Sequence, residues 1–443
     1  MKILVVGGGA REHAICDAVC RSKDVILYSV MSNLNPGIKL LAKEFLEEKE
    51  TNVDKVVDYA KENDIDLAIV GPEAPLEFGI VNKLNSIGIN ACSPTKEAAR
   101  IETDKEWMRN LLKKYNIPGQ LKCEAFINLE NAKKFIEDLN GEVALKPIGL
   151  TGGKGVRVSG DHFNNVNEAM QYIKDVIDNQ IGGQGKILIE EKTIGEEFTL
   201  QAFSDGYTIL PLHAVQDHKR LLPGDKGPNT GGMGSYSCGN GLLPFLSKKE
   251  YEEGASILQK IVEALNEEGC RYIGPIYGQF MLTIDGPKII EINARFGDPE
   301  AMNVLPLLET DFVDICKGML EGNLNKKKLN LLKKSTVCKY VVPEGYGVKS
   351  MVGEKIYVDE ESIHSTGSRL FYAAVNKGNS FIQTTSSRSL AVVGISNTLS
   401  SAEKICEEAL EHVKSDHIYI RHDIGTPELV EKRIQHMNKL RGI

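Results

Sequence analysis

The chain has 443 residues, 42% of them hydrophobic and 26% charged, with a formal net charge of −8. That length predicts several domains with an ample core, and the interspersed acidic balance argues against nucleic-acid and membrane-surface partners while leaving room for local basic pockets. Nine scattered cysteines include no CxxC and no Cys/His pair at zinc spacing, which speaks for a reducing interior and against a disulfide framework or a zinc site. The opening MKILVV lacks the apolar length of a signal peptide, and no run approaches a membrane span. A soluble, cytoplasmic protein is expected.

From the amino terminus, KILVV (2–6) is a short apolar run ending in glycines and reads as a buried parallel strand, followed by a helix over 10–21. DVILYSV (24–30) and DLAIVGP (66–72) are further strands, and VDKVVDYAKEND (53–64) is the clearest helix between them. This alternation predicts an open, mostly parallel α/β sheet that binds ligand at the carboxyl ends of its strands. A new unit starts near residue 104 with the amphipathic helix TDKEWMRNLLKKYN, stopped by Ile117-Pro118. GEVALKP (141–147) and GKILIEE (185–191) are strands flanking a glycine-rich loop and a helix. FTLQAFSDGYTIL (198–210) and GQFMLTIDGPKIIEINARF (278–296) read as hairpins turning at Asp205-Gly206 and Asp285-Gly286, with a long helix at 249–268. The lysine-rich stretch 324–334 marks a boundary. Beyond it come short strands at 337–342, 370–375 and 389–395 and helices at 399–414 and 426–440.

Five stretches carry candidate chemistry. In VVGGGAREHA (5–14), Gly7 and Gly9 satisfy half of a dinucleotide fingerprint, but Glu12 stands at the third glycine position. The next strand ends in Ser29, Val30, Met31 and Ser32, with no acid for a ribose, so a nicotinamide-dependent oxidoreductase is disfavoured. The glycines still let backbone N–H groups approach an anion at a helix start, and Arg11 adds a charge. ALKPIGLTGGKGV (144–156) sets Lys146 at a strand end and Lys154 in a glycine turn, able to clamp a polyphosphate from two sides, although the spacing is not that of a P-loop. KILIEEKTIGEEF (186–198) is a strand running into paired carboxylates. In IIEINARFGDPE (289–300), Glu291, Asn293 and Arg295 fall on one face of a strand, and the first two offer oxygen ligands to a hard cation. QDHKRLLPGDKGPNTGGMGSYS (216–237) reads as a long loop whose polar residues are too specific for a linker.

In this order the segments resemble the ATP-grasp superfamily. GGGAREHA, GPEAPL (71–76), DHKR, GPNTGGMGSYS and ARFGDPE resemble, more closely, the phosphoribosylamine–glycine ligase family; the likeness is strong to about residue 320 and continues weakly through RHDIG (421–425). The resemblance implies a multi-domain α/β fold with an amino-terminal α/β domain (1–103), a two-part ATP-grasp (104–193 and 194–328) and a small α+β carboxyl-terminal domain (329–443). It implies ligation of glycine to 5-phosphoribosylamine, with ATP consumed and a glycyl phosphate formed on the way to glycinamide ribonucleotide, in purine biosynthesis. It also implies an ATP site of Lys105, Lys146, Gly152, Gly153, Lys154, Glu190, Glu191, Lys192, Thr193 and Glu197. Glu291 and Asn293, with Gln279 beside them, would carry Mg²⁺ or Mn²⁺. Arg295, Lys154 and Asp217 would serve the chemistry. Gly8, Gly9, Arg11, Glu12, Glu73, Asp217, His218, Lys219, Arg220, Asn229, Thr230, Gly231, Gly232, Met233, Arg295, Gly297, Asp298 and Glu300 would bind the substrates. Partners are expected to be small molecules only, with the chain a monomer or homodimer. Two rivals share features with this reading: an ATP-grasp ligase of a neighbouring purine step, which should lack DHKR with GPNTGGMG, and a non-catalytic nucleotide-binding protein, which need not keep metal ligands.

Overall fold

The computed structural model describes residues 1–151 and 155–443. The roles expected for Gly152, Gly153 and Lys154 therefore lie outside the described residues. No helix among the described residues is long and apolar enough to cross a membrane.

The amino-terminal apolar runs form a parallel sheet, in the order Glu44–Glu47, Ile26–Met31, Lys2–Val6, Leu67–Val70, Asn90–Ala91. The first strand is central, and Ile3 to Val6 are wholly buried because helices cover both faces. Strand order reverses on either side of it, so the crevice at its carboxyl end lies between Gly7 and Gly71.

Residues 123–191 build a small lid. Its antiparallel sheet runs Cys123–Phe126, Ile187–Glu191, Val143–Pro147, Arg157–Val158. Two helices, Leu129–Asp138 and Val166–Asp178, start at Asn128 and Asn165, whose side chains accept from the backbone N–H three residues on. Ala132 and Ile136, and Ala169, Ile173 and Val176, repeat at helical spacing and close a core separate from the rest of the molecule.

The body is one large antiparallel sheet. Its path runs Gly286–Asn293, Ile273–Thr283, Glu196–Asp205, Val215–Asp217, Gly234–Ser237, Ser335–Pro343, Leu390–Ser396, Arg369–Tyr372. The predicted hairpin turns fall where expected, with Gly286 at φ +93° and Gly206 at φ +88°. The carboxyl-terminal third continues the sheet without a break, Ser235 lying opposite Cys338.

The stretch 216–237 is not the loop expected from its Gly, Pro and Asn content. It supplies Val215–Asp217 and Gly234–Ser237 to the large sheet, and Arg220–Leu222 pairs with Lys226–Asn229 as a separate hairpin. GSYS has no apolar alternation to announce a strand. Partners on both sides make it one, and its single large side chain, Tyr236, is fully buried.

Candidate active site

Strand register lays down the floor of the cleft. Thr199 lies opposite Gln279 and Gln279 opposite Glu291; in the next row Gln201, Tyr277 and Asn293 are aligned. Residues directly opposite one another share a face. The hairpin prediction thus places Glu291 and Asn293 side by side, and the pairing adds Glu197 and Gln279 from neighbouring strands. Gln279 Nε2 donates to Glu197 Oε2 at 2.5 Å, its Oε1 accepts from Lys219 Nζ, and Asn293 Nδ2 donates to Glu291 Oε1 at 3.4 Å. Among the described residues no three His, Cys, Asp or Glu side chains cluster tightly enough to hold a metal alone. A Mg²⁺-like ion bound through one or two oxygen side chains and substrate phosphates does not need such a cluster. Glu291 and Asn293 fit that chemistry. Gln279 already spends both ends of its amide, and would have to release Lys219 to serve as a ligand.

Three amino groups face Glu291. Burial alone would raise its carboxyl, but Lys219, Lys146 and Lys105 outweigh this and hold it below the ordinary range. Lys146 Nζ lies 2.7 Å from Glu190 Oε2 and donates to the Ile290 carbonyl at 3.1 Å. The buried Glu190 also accepts from Arg109 Nε at 2.7 Å, so its side chain is a counter-ion for two cations rather than an adenine contact. Lys105 opens the helix Lys105–Lys114, and its Nζ donates to the Gly149 carbonyl at 2.7 Å. Burial depresses its pKa, with Glu291 partly offsetting this. Glu191 and Lys192 tie the lid to itself: Glu191 accepts from the Lys122 N–H at 2.9 Å, and Lys192 Nζ donates to the Ser159 carbonyl at 2.7 Å. Thr193 lines the cleft.

Asp217 lines the cleft, and its Oδ1 is buried without a hydrogen-bond partner. Burial pushes its carboxyl up to about 8, with Glu300 and Glu197 adding and Lys219 opposing. Lys219 is the reverse case, its ammonium stabilised by Asp217 and Glu291 against the cost of burial. His218, just past the strand end at Asp217, packs onto Tyr236, ring centroids 5.9 Å apart, and burial keeps it neutral with a pKa lowered to about 3. Tyr277 donates to Glu300 at 2.8 Å, and the Gly297 N–H donates to Gln201 at 2.8 Å.

Arg295 stands where the parallel sheet meets the body. Its Nε lies 3.2 Å from Glu73 and its NH2 3.1 Å from Glu102. The two carboxylates share one guanidinium unequally. Burial would raise Glu73, yet Arg295 and Arg11 bring it down to about 2, whereas for Glu102 burial prevails and pushes it up to about 7.

The glycine turn at 7–9 is filled from within. Glu12 Oε2 accepts from the Gly9 N–H at 2.8 Å, and Glu12 Oε1 accepts from Arg11 Nε at 2.6 Å. A Cβ on Gly71 or Gly9 would overlap the Glu12 carboxylate. The Gly8 carbonyl accepts from Asn35 Nδ2 at 3.0 Å. The anion at this helix start is thus the protein's own. Gly8, Gly9, Arg11 and Glu12 lie at the expected switch point but do not line the cleft, and neither do Gly232 and the buried Met233.

Residues absent from the sequence expectations hold the wall at 231–232 and 298 in place. Arg388 donates to the carbonyls of Gly231, Gly232 and Asp298 at 2.7, 3.1 and 3.1 Å, pairs with Asp298 Oδ2 at 3.0 Å, and stacks 4.4 Å from the Tyr340 ring centre. Tyr340 donates to Asp298 Oδ1 at 2.5 Å. SSRSL around Arg388 carries no motif, so only the fold finds it. Thr230 is held through its Oγ1, which donates to the Lys219 carbonyl at 2.8 Å, while Asn229 pairs with Arg220 in the separate hairpin.

The result is a cleft of about 550 Å³ between the lid and the large sheet, with lysines on the lid side and Glu291 and Asn293 on the floor. This fold and this cleft are those of an ATP-grasp protein. Comparison with known proteins narrows the class. The chain matches the phosphoribosylglycinamide synthetase N domain over residues 1–102, the ATP-grasp (A) domain over 103–301 and the C domain over 336–427. It is 52% identical to phosphoribosylamine–glycine ligase of Methanothermobacter thermautotrophicus and 49% identical to that of Methanocaldococcus jannaschii, in both cases across 100% of each chain. Among solved structures, phosphoribosylamine–glycine ligase of Thermotoga maritima is 25% identical with a TM-score of 0.81, covering 96% of this chain and 100% of that one. Biotin carboxylase of Campylobacter jejuni shares the fold at 14% identity, with a TM-score of 0.74 over 99% of this chain and 98% of that one. The chain belongs to the phosphoribosylamine–glycine ligase family.

Proposed function

We propose that the protein is an ATP-dependent carbon–nitrogen ligase that joins glycine to 5-phosphoribosylamine, giving glycinamide ribonucleotide, ADP and phosphate in purine biosynthesis. The single observation that carries this reading is full-length membership of the family together with an intact cleft. Phosphoryl transfer needs positioning and charge neutralisation more than covalent help. Lys146 and Lys105 would hold the nucleotide phosphates, with Glu190, 2.7 Å from Lys146 Nζ, setting the direction of that lysine. By family resemblance Gly152, Gly153 and Lys154 would meet the same phosphates, and the backbone at 190–193 would read adenine. Glu291 and Asn293 would hold Mg²⁺ or Mn²⁺, which supplies charge neutralisation on the phosphates when bound.

The glycine carboxylate attacks the terminal phosphate, and the substrate amine then displaces phosphate from the acyl phosphate. Asp217, which lines the cleft, would accept a hydrogen bond from that amine. Glu73, at the end of a parallel strand, suits ribose hydroxyls, and Arg295 beside it suits an anionic substrate group. Asn229, Thr230, Gly231, Gly297, Asp298 and Glu300 complete the wall. The reading implies a cytoplasmic enzyme, monomeric or homodimeric. The test is phosphate release from ATP and Mg²⁺, with phosphoribosylamine formed in situ from ribose 5-phosphate and ammonia. Release that requires both glycine and the amine, matched by product, is expected. Release that proceeds equally with another acid in place of glycine would move the substrate elsewhere.

A further inference from the structure

Arg220 belongs to DHKR and was expected among the substrate-binding groups. Its NH2 instead donates to Asp161 Oδ2 at 2.6 Å, and its NH1 to the Gly227 carbonyl at 2.9 Å. Asp161 sits in the turn after the lid strand Arg157–Val158, whereas Arg220 begins a hairpin on the body. Both line the cleft, so the pair spans it from lid to body. Among the described residues, further links from the lid run from Lys146 to the Ile290 carbonyl, from Glu190 to Arg109 and from Lys186 to Glu106. The Arg220 side of the pair is anchored. Arg421, fully buried, donates to the Arg220 carbonyl at 3.0 Å, to Asp225 Oδ1 at 2.8 Å and to Asp423 Oδ1 at 2.7 Å. Asp423 in turn accepts from the Gly224 N–H at 2.8 Å, and Arg433 donates to Asp225 Oδ2 at 2.5 Å. The hairpin is therefore rigidly part of the carboxyl-terminal third, while Asp161 belongs to a lid with its own core. Side chains of Arg220 and Asp161 are 25% and 53% exposed, so the pair joins two separate bodies without being sealed between them.

We propose that Arg220 is a positioning residue: its ion pair with Asp161 clasps the lid shut over the cleft during turnover, and Arg421 aligns the clasp. The inference rests on the ligase reading, in which an acyl phosphate must be kept from water until the amine arrives. A part-exposed pair can be made and broken in each cycle, as substrate entry and product release require.

The experiment compares phosphate released with glycinamide ribonucleotide formed, at saturating substrates. Wild type should give equal amounts. Asp161→Ala should release about two- to fivefold more phosphate than product and raise the KM for ATP by a similar factor, the range open to a part-exposed pair. Arg220→Asp, which sets two acids face to face, should leak more. The exchanged pair, Asp161→Arg with Arg220→Asp, should bring the ratio back towards equality, which a ligand-binding Arg220 would not do. Equal release by Asp161→Ala, or an exchanged pair as leaky as Arg220→Asp, overturns the clasp. If wild type shows no glycine-dependent release, the ligase reading is what has failed. Hydrogen exchange with ATP bound then decides the clasp separately: faster exchange of the lid segment 157–163 in Asp161→Ala supports it, and unchanged exchange overturns it.

Discussion

Two places in this molecule look made for an anion, and they differ in what fills them. At the amino terminus, three glycines lead into a helix at the switch point of a parallel sheet, and the carboxylate of Glu12 already occupies the turn, itself paired with Arg11. On the large sheet, Lys105, Lys146 and Lys219 converge on Glu291, and Asp217 keeps a buried oxygen free. A glycine-rich turn thus shows that backbone and something else come close, without saying what. Unpaired polarity in a cleft is the stronger sign of a ligand.

The comparison can be broken most sharply on the sheet. Glu291→Gln or Lys146→Met should lower kcat for glycine-dependent phosphate release by about 10²- to 10³-fold, as expected for charge placed at a reacting phosphate. A variant with near-normal turnover in Mg²⁺ would remove that residue from the phosphate site.

At the turn the effect should be on stability instead. Glu12→Gln takes the directly paired carboxylate from the buried Arg11 and leaves Glu73 as its charged neighbour, and breaking such a pair costs up to about 3–5 kcal/mol. Denaturant unfolding should show that loss. A variant of wild-type stability that binds substrate poorly would instead make the turn a ligand site.

Smaller effects sharpen the picture. Arg388→Ala should raise KM for the ribosylamine by about tenfold with less change in kcat, because it loosens the walls at 231–232 and 298 rather than touching reacting atoms. Arg388→Lys, unable to reproduce the fork, should recover only part. A kcat loss with KM intact would place Arg388 in the chemistry.

The smallest effect is a pH dependence. Glu102 holds its proton to about pH 7 in the folded chain, whereas the unfolded chain releases it in the ordinary glutamate range. Between those limits the folded state binds more protons, so its stability falls as pH rises, by at most about 1.4 kcal/mol per pH unit. Glu102→Gln should flatten that limb of the unfolding free energy. An unchanged slope would show that Glu102 ionises normally beside Arg295.

Local signals made much of the fold readable in the sequence. Apolar runs gave three of the five parallel strands, two of them ending in glycine, and Asp-Gly turns gave both hairpins. The alternation of Glu291 with Asn293 put the two cation-binding candidates on one face before any pairing was known. What stayed hidden depends on pairing between distant segments. Gly234–Ser237 is a strand because Val215–Asp217 and Ser335–Pro343 lie on either side of it, the latter about a hundred residues away in sequence. Arg388 and Arg421 reach the substrate side through that same continuation of the sheet, and nothing adjacent in sequence marks Arg388. Glu12 was misleading for the opposite reason. The resemblance implied a substrate contact for it, and only the side-chain geometry shows it folding back onto the Gly9 N–H.

The most direct test of the central claim uses glycine carrying heavy oxygen in its carboxylate. If the cleft activates that carboxylate on ATP, each turnover must move one labelled oxygen into the released phosphate, leaving the other in the amide product. Label found in phosphate in step with product is the predicted result. Product formed with unlabelled phosphate would contradict the account, because the carboxylate oxygen would then never have carried the phosphoryl group.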